Sequence, residues 1–183
     1  RDGGGIYVAP RLKDDSLDSA NRLVLAGATI TNNRSDAVKE RTGFYVSGGG
    51  GIFSMGDAAI DGAVITSNRA ADAGGGLAMP GEAKYQMPLL TMRNTVVAAN
   101  WAEASEGGGM FCMTSGRRDE DKVARLSYVT TGTYVTNNHT NTVFDYGGGG
   151  LFVPVDGFLN VVYPVVSGNE ASGLGGGVGA CSN

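Results

Sequence analysis

The chain has 183 residues, of which 31 are glycine and only 5 are proline. Glycine is more than twice as common as the average of about 7%, which argues against a helical bundle, and the absence of a Gly-X-Y period excludes collagen. The net charge is −4, and the basic residues form no stripe that could follow a nucleic-acid backbone. No apolar stretch approaches the roughly 20 residues of a membrane-spanning helix. These exclusions leave a glycine-punctuated β architecture in a single domain, residues 1–183, without nucleic acid as a partner and without a membrane-spanning segment.

Glycine triplets recur along the chain, each followed by an aliphatic residue or Met. With the residue that follows, they occupy positions 3–6, 49–52, 74–77, 107–110, 148–151 and 175–178. Glycine suits a tight bend followed by a close approach of two backbone segments, since no Cβ obstructs either. We therefore assign a structural role to the triplets and mark their middle residues Gly50, Gly75, Gly108, Gly149 and Gly176.

A second pattern, [Ile/Val]-x-x-Asn, stands between successive triplets. Its asparagines are Asn33, Asn68, Asn100, Asn138 and Asn169, which span 136 residues in four steps, a mean of 34 residues per step. A period in this range indicates a solenoid. The segments between the motifs are short, β-branched and flanked by glycine, which favours strands over amphipathic helices.

The second repeat shows which elements one unit contains. It predicts a strand over residues 52–55, a second extended piece over 59–65, a turn at Asn68 and a short return to the next triplet. Coils of two or three such strands that rise by about 4.8 Å per turn form a parallel β-helix. We expect about five coils, roughly 24 Å long, with equivalent positions lying over one another.

The asparagines are expected at the corners of the coil. Asn tolerates the left-handed backbone region and hydrogen-bonds to nearby backbone, and stacked copies can bond to one another as a ladder. The Ile or Val three residues earlier is expected to point into the core.

The two motifs resemble polymorphic outer membrane protein repeats, which alternate Gly-Gly-[Ala/Gly]-[Ile/Leu/Val] with Phe-x-x-Asn. This chain has Gly in place of Ala in the first motif and Ile or Val in place of Phe in the second. The resemblance spans residues 3–178 and implies a right-handed parallel β-helix, the superhelix that is shared with pectate lyases. It also implies an adhesive or structural role at a cell surface.

Insertions predict where the variable surface lies. One class follows a triplet, at residues 10–22, 80–88 and 114–125, and a second class follows an asparagine corner, at 34–43 and 139–146. The two classes are expected to leave the solenoid from different edges. Insertions often form the binding face of a repeat protein, although loops of mixed charge that only keep a solenoid soluble are an equal alternative. The candidate surface contacts are Tyr85, Trp101, Arg117, Arg118 and Tyr146, and Trp101 could instead cover the core.

Few residues suggest chemistry. His139 is the only histidine and no Cys-x-x-Cys occurs, so we predict no metal site and no cofactor. A glycosidase needs two carboxylates that flank the bond. On a β-helix, such residues must come from neighbouring coils. Asp57 and Asp61 lie in one coil, and we expect the matching positions of the other coils to be apolar or in loops. We therefore predict no enzyme.

The cysteines and glycosylation sequons follow from the same register. Cys112 and Cys181 should lie two coils apart, about 9.6 Å, which is too far for a disulfide. Both sequon asparagines, Asn33 and Asn138, are ladder residues, so glycosylation is not expected if the ladder is buried.

The prediction is a non-catalytic structural or adhesive β-solenoid of a secreted, cell-surface or extracellular fibrous protein. Because the chain starts and stops at a triplet without a capping helix, we expect a segment of a longer solenoid or a subunit that stacks end to end. Its expected partners are such further coils, a surface glycan or a protein. The alternative is a carbohydrate-active enzyme or carbohydrate-binding domain of the pectate-lyase-like type.

Overall fold

The computed structural model describes residues 4–8, 21–36, 48–80, 88–112, 127–141, 147–153, 159–173 and 175–180. All secondary-structure elements within these ranges are β-strands, and the strands follow one another in groups of four. The first group is β1 (Ile6–Val8), β2 (Arg22–Ala26), β3 (Thr29–Thr31) and β4 (Arg34–Ser35). The second is β5 (Ile52–Ser54), β6 (Asp57–Asp61), β7 (Val64–Thr66) and β8 (Arg69–Ala70). The third is β9 (Leu77–Met79), β10 (Leu90–Arg93), β11 (Val96–Ala98) and β12 (Trp101–Ala102). The fourth is β13 (Met110–Cys112), β14 (Ser127–Val129), β15 (Tyr134–Thr136) and β16 (His139–Thr140). The fifth is β17 (Leu151–Val153), β18 (Leu159–Val161), β19 (Val165–Ser167) and β20 (Glu170–Ala171), and β21 (Val178–Ala180) follows it.

Each group contributes one strand to each of four parallel sheets. Sheet A contains β1, β5, β9, β13, β17 and β21, and sheet B contains β2, β6, β10, β14 and β18. Sheet C contains β3, β7, β11, β15 and β19, and sheet D contains β4, β8, β12, β16 and β20. Neighbouring strands in all four sheets run parallel. The chain therefore passes through the four sheets once per coil and forms a parallel β-solenoid, which confirms the all-β class and the parallel stacking.

The number of strands per coil was predicted wrongly, because it is four and not two or three. The expected single piece over residues 59–65 is broken at Gly62, whose φ of +63° turns the chain from sheet B into sheet C. The short return after Asn68 is also a strand, β8, which pairs with β4 and β12.

Inward-facing side chains stack from coil to coil into one apolar core. In sheet C the inward residue of each strand is the Ile or Val of the asparagine motif: Ile30, Ile65, Val97, Val135 and Val166. In sheet A the first inward residues are Ile6, Ile52, Leu77, Met110 and Leu151, and Val178 stands in register with Leu151 but is 49% exposed. Each buried aliphatic side chain contributes about 1.5–3 kcal/mol, so the interior holds the coils together.

The connections divide the solenoid into a side with insertions and a side without them. A turn of two residues joins sheet C to sheet D in each of the five coils, and two to four residues join sheet B to sheet C. The long connections instead follow sheet A strands, as after β9 and β13, or precede the glycine triplets, as after β4 and β16. Both insertion classes therefore attach at the borders of sheet A. The second class begins later than expected, because Arg34–Ser35 and His139–Thr140 are strands of sheet D.

Candidate functional site

The five motif asparagines form a ladder along the solenoid axis. In each rung the backbone N and the Nδ2 of one asparagine donate to the Oδ1 of the next, at 2.9–3.0 Å, from Asn33 through Asn68, Asn100 and Asn138 to Asn169. Each Nδ2 from the second rung onward also donates to a backbone carbonyl of the preceding coil, for example Asn100 to Ile65 at 2.9 Å. The three central asparagines are 1% exposed. Each of the three central asparagines therefore connects three successive coils, whereas Asn33 and Asn169 each bond to one neighbouring coil.

The left-handed residue at this corner is not the asparagine itself, so that expectation was wrong. Positive φ values belong to the residue just before each ladder asparagine: Asn32, Ser67, Ala99, Asn137 and Gly168. The preceding residue makes the turn, which leaves the ladder asparagine free to point its carboxamide inward. This is why the turn position varies in residue type while the next position is always Asn.

The glycine triplets are explained by close packing against the same corner. A Cβ on the middle residue Gly75 would lie 2.4 Å from the carbonyl oxygen of Gly108 and 2.5 Å from the backbone of Trp101. The other middle glycines, Gly50, Gly108, Gly149 and Gly176, face sheet D or the corner before it in the same way, at 2.1–2.9 Å. A Cβ on the third glycine, Gly76, would lie 2.9 Å from Nδ2 of Asn100. The two sequence motifs thus meet within each coil, where no side chain fits between them.

A second corner was missed by the sequence analysis. Between sheets B and C the residue six positions before each ladder asparagine has positive φ: Gly27, Gly62, Asn94, Gly132 and Tyr163. Glycine and asparagine dominate this column because they enter the left-handed region at low cost. The constant offset of six residues was the signal that could have revealed it.

Trp101 lies on the outer face of sheet D and is 38% exposed. Its neighbours in register are Arg69 on one side and His139 on the other. The guanidinium of Arg69 lies 4.9 Å from the centre of the Trp101 ring, and the His139 ring meets it edge to face at 5.2 Å. Trp101 therefore contacts residues of both neighbouring coils while part of its ring stays exposed, and its role as a surface contact stays a prediction. Trp101 does not cover the core.

The charged groups around Trp101 pair with one another. Glu103 pairs with Arg69, and Asp36 pairs with Arg34. His139 contacts Glu170 through Nδ1 at 3.3 Å and Asn141 through Nε2 at 2.7 Å. The polar side chains of this surface pair with one another along the axis, which favours a role in joining coils.

Sheet B corrects part of the expectation for the acidic residues. The register places Arg22 beside Asp57 and Arg93 beside Asp61, so these two matching positions are basic and lie in strands, whereas Ala26 on the other side of Asp61 is apolar as expected. Oδ2 of Asp61 lies 2.8 Å from Arg93, and its Oδ1 accepts a hydrogen bond from Asn94 at 3.0 Å. The bond from Asn94, followed by that from Arg93, lowers the pKa of Asp61 below its ordinary value. Asp57 accepts from the backbone N of Leu89 at 2.9 Å.

Sheet C carries a different outer surface. Its strands present two residues each to solvent, and the ten residues form two columns along the axis. They are Thr29, Val64, Val96, Tyr134 and Val165 in one column, and Thr31, Thr66, Ala98, Thr136 and Ser167 in the other. None of the ten is charged, which separates this face from its neighbours.

Sheet A is buried on both faces in its central strands. Outward-facing aromatic rings stack in pairs, Tyr7 on Phe53 at 5.6 Å and Phe111 on Phe152 at 5.8 Å. The candidate contacts Tyr85, Arg117, Arg118 and Tyr146 belong to the insertions that border this sheet, and they lie outside the described residues. Their role stays a prediction.

Cys112 faces the core from β13 and is a buried free thiol. Burial raises the pKa of this thiol to about 12, so it stays protonated and unreactive near neutral pH. Its proposed separation from Cys181 stays a prediction, because Cys181 lies outside the described residues.

The search for metal and membrane features covers the same part of the chain. No three His, Cys, Asp or Glu side chains among the described residues group as metal ligands do. The described residues form no helix that is long and apolar enough to cross a membrane.

The fold and surfaces define a parallel β-solenoid in which the repeated Gly and Asn positions stack coil on coil. Comparison with protein-family models, with curated proteins and with solved structures found no match. The likeness to polymorphic outer membrane protein repeats is therefore a prediction that rests on the two motifs alone.

Proposed function

We propose that this chain is a non-catalytic, rigid segment of a right-handed parallel β-helix in a secreted, cell-surface or extracellular fibrous protein. The observation that carries the proposal is the unbroken asparagine ladder, in which buried carboxamides bond each coil to the next. A buried polar network of this kind stabilises one arrangement because every alternative leaves polar groups unsatisfied. The repeated side chains thus serve rigidity along one axis.

The right-handed sense follows from a general property of parallel sheets. Successive strands of sheet A, such as β5 and β9, are parallel neighbours joined by a crossover through the other three sheets. Crossovers of this kind are right-handed in about 98% of cases, because strands twist to the right. Six strands in sheet A give a length of about 24 Å at one strand spacing per coil.

The pairing of Asp61 and Glu103 with basic side chains supports the non-catalytic part of the proposal. Asp61 is held by Arg93 and Asn94, and Glu103 is held by Arg69. A glycosidase instead needs one carboxyl group with a raised pKa and a second one across the scissile bond. The proposed partners are further coils of the same repeat, in a longer chain or a neighbouring copy, and a surface glycan or protein.

Two measurements test this role. Antibodies raised against the chain should label intact cells of the source organism as strongly as permeabilised ones, and labelling only after permeabilisation would contradict a surface location. Electron microscopy of the full-length protein at increasing concentration should show straight rods. Filaments that grow by end addition would identify other copies of the chain as the partner. Isolated rods would favour a surface glycan or a protein as the partner, and round particles would contradict the proposed rod shape.

A further inference from the structure

The outer face of sheet C has the composition of a binding surface for a neutral ligand. Its ten outward residues are Thr, Val, Ala, Ser and Tyr, without a charge. The adjoining faces carry the charges instead: Arg22, Asp57, Asp61 and Arg93 on sheet B, and Arg34, Arg69 and Glu170 on sheet D. Depletion of charge at the centre with a charged rim is typical of interfaces.

No insertion begins or ends at the borders of this face. The turns to sheet D contain two residues in every coil, and those from sheet B contain two to four. Long connections attach only next to sheet A. The five strands of sheet C therefore form a regular row of outward residues along the axis.

Two exposed tyrosines mark the face. Tyr134 is 47% exposed and stands in register with Val165. Tyr163 is 83% exposed in the corner that leads into β19. Its φ is +52° and Pro164 follows it, which is an unfavourable conformation for a bulky residue before proline. The corner between sheets B and C imposes this positive φ in every coil, and in the fifth coil it leaves the Tyr163 ring exposed next to β19.

The size of the face argues against a protein partner. Five strands cover about 19 Å along the axis, and three residues per strand cover about 10 Å across it. The resulting area of roughly 200 Å² is far below the ~800 Å² that each partner contributes to a standard protein interface. A narrow chain that lies along the axis fits these dimensions.

We propose that the sheet C face binds an extended, neutral polysaccharide. Hydroxyl groups of Thr31, Thr66 and Thr136 can donate to and accept from sugar hydroxyls. Tyrosine offers an apolar ring surface and a polar tip, and so suits a ligand with both apolar and hydroxyl-bearing faces. The inference rests on the adhesive part of the proposed function and names its ligand class.

The test uses the full chain in affinity electrophoresis through gels that contain soluble β-glucan or hydroxyethyl cellulose, and in co-sedimentation with insoluble cellulose and chitin. Heparin and polygalacturonate serve as charged comparisons. We expect retardation or co-sedimentation with at least one neutral polymer. We also expect this binding to be unchanged by salt, because no charged contact is screened.

Matched variants locate the binding face. Val64→Glu and Tyr134→Ala should weaken binding at least about tenfold. Val24→Glu, an exposed outward valine on sheet B, and Tyr7→Ala, an exposed tyrosine on sheet A, should change it less than about twofold. Thermal unfolding of all four variants checks that the fold is retained.

Three results would overturn the inference: no binding to any neutral polymer, binding only to the charged ones, or an equal loss in the control variants. A fourth result would also overturn it: binding of a protein to this face that Val64→Glu abolishes and that none of the polysaccharides competes with. Rod shape and surface labelling are independent of these results, so a failure here leaves the rest of the proposed function intact.

Discussion

The carboxamide oxygen of Asn100 accepts two hydrogen bonds from Asn68, one from its backbone N and one from its Nδ2, both at 3.0 Å. Asn100 in turn donates from Nδ2 to Ile65 and to Asn138. One buried side chain thereby bonds to the coil on each side of it. The relationship explains why a single residue type recurs at this position while the turn residue before it changes.

Replacing the central rung should cost much of the stability. In Asn100→Ala the two donors of Asn68 and the carbonyl of Ile65 lose their partner in a buried place, at about 1–3 kcal/mol for each unsatisfied group. We expect a loss of about 3–5 kcal/mol in the free energy of unfolding, measured by urea denaturation. Asn33→Ala is the control, because Asn33 is half-buried and donates to one neighbouring coil only. An equal loss of unfolding free energy in both variants would contradict the larger contribution of the buried central asparagine.

Replacing the third glycine of a triplet should lower the stability where the next coil and the asparagine ladder pack closely against it. In Gly76→Ala the new Cβ would lie 2.7 Å from the carbonyl oxygen of Gly109 and 2.9 Å from Asn100, and overpacking of this kind costs about 1–3 kcal/mol. Gly177→Ala is the matched control at the same triplet position, since its nearest atom is 3.5 Å away on Val166. Thermal unfolding should show a lowered midpoint for Gly76→Ala alone, and tolerance of both changes would contradict the close packing.

Acid should weaken the protein partly through Asp61. Hydrogen bonds from Asn94 and Arg93 lower the pKa of Asp61 below its ordinary value in the folded state, so the folded state favours the ionised form. This contribution is present above the unfolded pKa and is lost as the pH falls through the folded pKa. In Asp61→Asn the free energy of unfolding should therefore fall less steeply below about pH 5 than in the wild type. Parallel acid profiles for the two proteins would contradict the pairing.

The Cys112 thiol should be protected by the fold. Burial raises its pKa to about 12, above the ordinary value of about 8.5, so its contribution to stability is present below the ordinary pKa and is lost as the pH rises toward 12. In the Cys181→Ser variant, which leaves Cys112 as the remaining cysteine, a thiol reagent at pH 8 should react only after unfolding in urea. Rapid reaction of the folded variant would show that β13 opens or that the side chain faces outward.

The sequence predicted the stacked parallel coils, but it missed the number of strands per coil and the position of the left-handed residue. The two motifs were sufficient for stacked parallel coils, because a period near 34 residues with inward Ile or Val and buried Asn fits few other folds. The number of strands per coil was missed, since Gly62 breaks an otherwise continuous extended pattern and Arg69–Ala70 is too short to show a period. The left-handed position was assigned one residue too late, because Asn itself is the residue type that such turns favour.

What the sequence determined by itself is the repeat, since stacking in register places equal residues over one another and makes their mutual fit a local property of the motif. The tertiary structure decided which different residues meet. Arg69 reaches Trp101 across 32 positions, Arg22 stands beside Asp57 across 35, and the charges leave sheet C between two charged faces. Such contacts depend on the register of coils whose insertions differ in length, and on side-chain directions that no spacing rule specifies. The physical reason is that a solenoid places each residue beside the equivalent residue one coil away. Residues that differ between coils therefore become neighbours on the surface only when the coils stack in register.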